Sequence, residues 1–234
     1  NIYMNLDIKN PAGRLQNILS LIRPAAVITN DSQIGKIDGA VPDGIRIINI
    51  DEHPSDANVP DTHALMARIA DLIDTDPYCI INTSGSTGTP KGVVLNHKSF
   101  IDFMAQTFDE YQFCEKDVVG SLSPLVFDIY SYELCLLMAR AVTIAVVPDT
   151  YSAFPARILQ LLARHNVTYI FWVPTIMVNI ANMGLLPQIP LPALRLVWFA
   201  GEVFPTKQFN LWRKYLPQVK FANFYGPIEI TLDC

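Results

Sequence analysis

Arg195-Leu196-Val197-Trp198-Phe199-Ala200-Gly201-Glu202 runs apolar from Leu196 to Ala200 without polar alternation, then stops at a glycine, and Pro205 opens a helical pattern shortly after. A strand that is apolar on both faces is covered on both faces, the mark of a parallel sheet held between helices. The flanking sequence repeats the rhythm. Upstream the pattern predicts helix over 129–140, strand over 142–147, helix over 154–166, strand over 168–173 and helix over 174–183; downstream it predicts helix over 205–216 and strand over 219–224. Ile144-Ala145-Val146-Val147 reads as another strand buried on both sides. The residues between 184 and 192, rich in proline, read as a surface connection. The fold expected is α/β, a doubly wound, mostly parallel sheet flanked by helices.

Ligands of such sheets sit outside the carboxyl ends of the strands. Ala200-Gly201-Glu202 and Phe224-Tyr225-Gly226 fall at two such ends. Thr83-Ser84-Gly85-Ser86-Thr87-Gly88-Thr89-Pro90-Lys91-Gly92 lies between the apolar runs 78–81 and 93–95, and reads as a hairpin-like loop joining two buried strands. Its glycines remove Cβ atoms, its hydroxyls supply short donors and Lys91 adds a mobile positive charge, a combination suited to wrapping polyphosphate. The spacing is not that of the G-x-x-x-x-G-K-[ST] loop. A solvent-exposed turn with a surface lysine is the plainer alternative. All three stretches can converge on one crevice.

Toward the amino end, residues 3–7 read as strand-like, and Pro11 opens a helix carrying Leu15, Ile18, Leu19 and Ile22 that ends at Pro24. Strands follow over 25–29 and 45–50, with a loop over 51–60. Leu65, Ile69, Leu72 and Ile73 mark a helix. Phe100, Ile101, Met104, Phe108 and Tyr111 share one face of another, before a strand over 118–122.

Half of the 234 residues are hydrophobic, enough for a substantial core, and the net charge is −5. No basic run offers a footprint for nucleic acid or an anionic membrane, and no apolar stretch approaches the roughly twenty residues of a membrane span. Cys79, Cys114, Cys135 and Cys234 fall at no metal-ligand spacing and read as buried thiols of a reducing compartment. The expected location is cytoplasmic.

The stretch 83–92 resembles the signature loop of the adenylate-forming superfamily: acyl-CoA synthetases, luciferases and the amino-acid adenylation domains of nonribosomal peptide synthetases. The resemblance implies that Thr83, Ser84, Gly85, Ser86, Thr87, Gly88 and Lys91 grip the β- and γ-phosphates of ATP while a carboxylate attacks the α-phosphorus. Asn223-Phe224-Tyr225-Gly226-Pro227-Ile228-Glu229 is similar to the family's N-x-Y-G-P-T-E. By that likeness Tyr225 and Gly226 line the adenine site, Tyr225 stacking on the base, Asn223 bonds the exocyclic amine and Glu229 holds Mg²⁺. Lys91, Thr87 and, through Mg²⁺, Glu229 would then supply positioning and charge neutralisation. Phe199-Ala200-Gly201-Glu202-Val203-Phe204-Pro205 looks like the C-G-E-V-L-P run of D-alanine:D-alanyl carrier protein ligases, whose glycine and glutamate lie against adenine. Ile228 departs from the family's threonine, and cannot donate to an oxyanion.

Phe127-Asp128 resembles the phenylalanine-aspartate pair of amino-acid adenylation domains, in which the aspartate binds the substrate ammonium. The remaining pocket positions implied are Ile129, Tyr132, Thr175, Trp198, Ala200, Phe224 and Leu232. Trp198 and Phe224 would leave room only for a small side chain such as that of alanine, glycine or serine, although both could equally be sheet core. Without the resemblance, Asp128 would be an N-cap as readily as a ligand. The opening residues Tyr3, Leu6, Asp7, Pro11, Arg14, Leu15, Ile18 and Leu19 are similar to the family's Y-V-P-L-D and R-L-x-x-I-L runs. This implies that 1–234 is part of the large N-terminal lobe of a longer protein, with the C-terminal lobe absent and little turnover expected. The activity implied is ATP-dependent activation of a small amino acid as its adenylate, for transfer to the thiol of a phosphopantetheinyl carrier protein. A noncatalytic nucleotide-binding or interaction module is the alternative; an acyl-CoA synthetase is disfavoured by Asp128.

Overall fold

A computed structural model describes residues 2–52, 61–84 and 90–232, the side chains of Ser84 and Pro90 excepted. They form two compact units, 1–98 and 99–234.

In the first unit α1 (Ala12–Ile22) follows Pro11 and buries Leu15, Ile18 and Leu19 on one face. It ends where Arg23 turns left-handed ahead of Pro24, which cannot continue a helix. β1 (Ala26–Thr29) and β2 (Arg46–Asn49) pair in parallel around the short α2 (Ile34–Ile37). Leu15, Leu19, Val27, Ile37 and Ala40 form the core between these elements. The strand-like opening reduces to a single bridge, Tyr3 to Cys79. α3 (Thr62–Ala70) is capped by Asp61, whose carboxylate accepts from the His63 and Ala64 amides. The expected helix is shorter than its apolar pattern: Leu72 and Ile73 lie past its end, and Leu65 and Ile69 are exposed.

β3 (Pro77–Ser84) and β4 (Pro90–Asn96) pair antiparallel, on either side of residues 85–89. The expectation of two buried strands is corrected. Cys79, Ile81 and Leu95 are buried on one face, whereas on the other Ile80 is only half-buried and Val94 is exposed. Gly92 serves packing: a Cβ there would stand 2.8 Å from Ile22 of α1 and 3.1 Å from Ile80.

α4 (His97–Tyr111) leads into the second unit, where the expected alternation appears with ends shifted by a residue or two. Its elements are β5 (Val118–Ser121), α5 (Asp128–Arg140), β6 (Thr143–Val146), α6 (Pro155–Arg164), β7 (Tyr169–Trp172), α7 (Pro174–Asn182), β8 (Leu196–Phe199), α8 (Thr206–Tyr215) and β9 (Lys220–Asn223). The sheet is wholly parallel in the order β6-β5-β7-β8-β9. β7 and β8 are buried along their whole length, as their apolar runs require. The same reading fails for β6, an edge strand whose Val146 is 70% exposed.

Successive side chains of the central strands divide between two layers. Trp198 of β8 meets Phe103 and Tyr111 of α4 and Tyr132 of α5, together with Tyr169 and Phe171 of β7. Ile170, Trp172, Val197 and Phe199 belong to the core that includes Leu159, Met177 and Trp212 of α6, α7 and α8. Right-handed crossovers produce this division, since α5 returns in one direction and the later helices progress in the other. At Gly120 of β5 a Cβ would fall 2.7 Å from Leu162, so the glycine admits α6 against the strand. The proline-rich connection is less superficial than expected, because Leu185, Leu186 and Leu191 are buried.

The buried face of α4 also differs from its apolar pattern. Ile101 is exposed, whereas Thr107 is buried, its hydroxyl bonded to the Phe103 carbonyl and to the Tyr132 hydroxyl at 2.9 Å. Internal hydrogen bonding makes the polar residue a core residue. At the amino ends of the strands Asp117 accepts two hydrogen bonds from Arg195, both 2.8 Å, one from Thr168 Oγ1 at 2.7 Å and one from the Cys114 amide at 2.9 Å. Cys114 itself is exposed, unlike Cys79 and Cys135, which corrects its reading as a buried thiol; Cys234 lies outside the described residues. Among the described residues no helix is long and apolar enough to cross a membrane.

Candidate nucleotide and substrate site

Between β5 and β7 the order of the sheet reverses, because the chain steps outward to β6 and returns on the other side of β5. That reversal opens the carboxyl ends to a ligand. At the neighbouring ends of β8 and β9 lies a crevice of about 790 Å³, lined by Gly201, Glu202, Val203, Phe204, Asn223, Tyr225 and Gly226 above a floor that includes Phe199, Phe209 and Phe221. Gly201 leaves β8 at φ 85°, a conformation that favours glycine. Tyr225 is 76% exposed at the rim. The expected nucleotide residues Gly201, Glu202, Asn223, Tyr225 and Gly226 thus line one space. Ile228 and Glu229 follow in a short 3-10 turn beyond Pro227, where the lining ends, and Glu229 is exposed.

Glu202 Oε2 accepts from the Thr175 amide at 3.0 Å and from the Thr175 hydroxyl. An acidic group at the first turn of α7 satisfies donors that lack helical partners. Thr175, expected in the substrate pocket, is exposed and ties the end of β7 to that of β8.

Asp128 opens α5 and is buried. Its Oδ1 accepts from the Ile129 amide at 3.0 Å and its Oδ2 from the Leu232 amide at 3.1 Å. Burial pushes the carboxyl above its ordinary range, and these backbone donors draw it partly back. Thr231 and Leu232 both have positive φ, 65° and 61°, so the segment meeting Asp128 is conformationally strained. Behind Asp128, Tyr132 stacks on Trp198 at 5.7 Å, and Trp198 lies 4.6 Å from Phe224. Tyr132 and Trp198 have no exposed surface, and Ala200 and Leu232 are buried beside half-buried Ile129 and Phe224. The indole N–H of Trp198 has no hydrogen-bond partner among the described residues.

In the hairpin, Thr83 and Lys91 are register partners and Lys91 is exposed. Gly85, Ser86, Thr87 and Gly88 lie outside the described residues, as does the side chain of Ser84. The hairpin belongs to the first unit and the crevice to the second.

One buried acid was not a site candidate from sequence. Glu133 of α5 has no exposed surface and is hydrogen-bonded to Ser121 Oγ, and burial raises its pKa to about 8 against the lowering effect of that bond. Its signal was a lone glutamate inside an apolar helical pattern.

A doubly wound parallel sheet with glycine-bearing turns at its carboxyl ends defines the class as an α/β protein whose ligands sit at those strand ends. The chain belongs to the AMP-binding enzyme family, whose model matches residues 1–234. An L-proline--[L-prolyl-carrier protein] ligase of Pseudomonas fluorescens is 26% identical over 234 residues, which cover 99% of this chain and 47% of that protein. The hybrid PKS-NRPS synthetase gkaA of Penicillium citrinum is 28% identical over 237 residues, 99% of this chain and 6% of the relative. The Vibrio cholerae adenylation domain AlmE, solved with glycyl-adenosine-5'-phosphate, superposes with a TM-score of 0.84 at 22% identity, over 99% of this chain and 47% of that one. The chain therefore spans half or less of the length of these relatives.

Proposed function

We propose that the chain binds ATP and a small amino acid and joins them as an aminoacyl-adenylate, destined for the thiol of a phosphopantetheinyl carrier protein. The observation that carries this reading is Asp128, a buried carboxylate at the head of α5, oriented by two backbone amides beside a closed cluster of aromatic rings. A carboxylate in that setting selects an ammonium group, and its charge-assisted contact is strong. The closely packed rings of Tyr132, Trp198 and Phe224 support a small side chain.

The crevice between the β8 and β9 ends suits a purine, with the exposed ring of Tyr225 for stacking and Asn223 for an amine. Lys91 and the hydroxyls of 83–88, Thr87 among them, would hold the β- and γ-phosphates. Exposed Glu229 suits Mg²⁺, a hard cation that keeps several waters and takes one or two carboxylates. When bound, the cation neutralises phosphate charge. The substrate carboxylate attacks the α-phosphorus in line and pyrophosphate leaves; the chain contributes positioning and charge compensation.

Ile228 favours a second reading, a nucleotide-binding module with little catalysis, since the loss of one oriented donor lowers rate by roughly 10²-fold or more. Amino-acid-dependent exchange of labelled pyrophosphate into ATP, run with glycine, alanine and serine, separates the two. Exchange with one of these supports adenylation. ATP binding without exchange supports the module, and neither result rejects both.

A further inference from the structure

Glu133 has no part in the chemistry above. It is wholly buried in the layer between α5 and the sheet; among the described residues its Oε2 accepts from Ser121 Oγ and its Oε1 has no hydrogen-bond partner. A carboxyl in so dry a place destabilises the fold relative to an apolar side chain of similar size. Core residues that break a local rule are explained by what they hold in place.

Ser121 is the last residue of β5, and α5 begins at Asp128 after residues 122–127. The Ser121–Glu133 bond closes that connection, fixing the strand end to the second turn of the helix. Residues four apart share a helix face, so Asp128 and Tyr132 form one row and Ile129 and Glu133 the adjacent one. The first row meets Leu232 and Trp198; the second is anchored on β5. We propose that Ser121 and Glu133 form a latch that holds the opening turns of α5 in register with the end of β5, making Glu133 a positioning residue for the substrate group that Asp128 binds. The identity of that group rests on the function proposed above; the latch does not.

The test compares Glu133→Leu, Glu133→Gln and Ser121→Ala in the full chain. Hydrogen exchange at the amides of residues 132–136 should accelerate about tenfold in Glu133→Leu and in Ser121→Ala, with the amides of β8 unchanged, because a local opening is released without global unfolding. Glu133→Gln, which can still bond Ser121, should restore protection. Glycine or alanine affinity should fall about tenfold in the same two variants while ATP affinity holds, and recover in Glu133→Gln. Unchanged exchange in both variants, or acceleration shared equally by β8, overturns the latch. Altered exchange with unaltered amino-acid affinity overturns the positioning role. If exchange responds as expected but the parent chain binds no amino acid, the latch stands and the reading of Asp128 fails.

Discussion

The two ends of the parallel sheet are built on opposite principles. At the amino ends Asp117 is surrounded by donors from Arg195, Thr168 and Cys114, so that burial, which alone would raise its pKa, is outweighed and the carboxyl is held below its ordinary range. At the carboxyl ends Asp128 is pushed upward, one oxygen of Glu133 and the indole N–H of Trp198 lack partners among the described residues, and Thr231 and Leu232 are held at positive φ. β5 touches both environments within a few residues. Around Asp117 the polar groups satisfy one another, whereas the two at Glu133 and Trp198 lack that satisfaction among the described residues.

The strongest challenge to this contrast is Asp117→Ala. It removes the hub of several hydrogen bonds, some of them charged, and should cost about 3–4 kcal/mol in chemical denaturation without altering ligand affinity. A loss under about 1 kcal/mol would show that the amino end is no firmer than the other. Asp128→Ala should act in the reverse sense. Amino-acid affinity measured by calorimetry should drop about 10²-fold, roughly 2.7 kcal/mol, while ATP affinity holds. An unchanged amino-acid affinity would retire the substrate assignment.

A comparable effect is expected from the titration of Glu133. The folded chain holds this proton to about pH 8, whereas the unfolded chain releases it near the ordinary value of 4.5. Stability is therefore greatest below pH 4.5 as far as this group is concerned, and declines as pH rises toward 8. Glu133→Gln should lack that decline, gaining about 3–4 kcal/mol on the parent between pH 5 and pH 8. Parallel pH curves for the two would refute a protonated Glu133. The hairpin provides the mildest comparison, outside the sheet. Lys91→Ala should weaken ATP about tenfold and AMP much less, and equal losses would remove the lysine from the phosphates.

Continuous apolar runs made the central strands readable, because burial on both faces leaves nothing else for a strand to display. They misled at β6, where the same composition sits on an edge: neighbours in space, not residues, decide which strand is central. Thr107 and Glu133 were unreadable for a related reason, since each is buried through a hydroxyl partner far away in sequence, on Tyr132 and Ser121 respectively. Gly92 was legible as a glycine that must be small, but its neighbour is Ile22 of α1. In the candidate site, the turns after β8 and β9 were marked by glycine and proline, and the structure lines one crevice with them. The bond between Glu202 and Thr175 left no local trace, because it joins the ends of two strands separated by a helix.

The three tryptophans offer a practical consequence. Trp172 and Trp212 donate to the carbonyls of Gly120 and Met177 in the layer of α6, α7 and α8, away from Asp128. Trp198 alone stands among the rings behind Asp128. Its emission is therefore a built-in optical gauge of that neighbourhood, read against two steady companions without any attached dye.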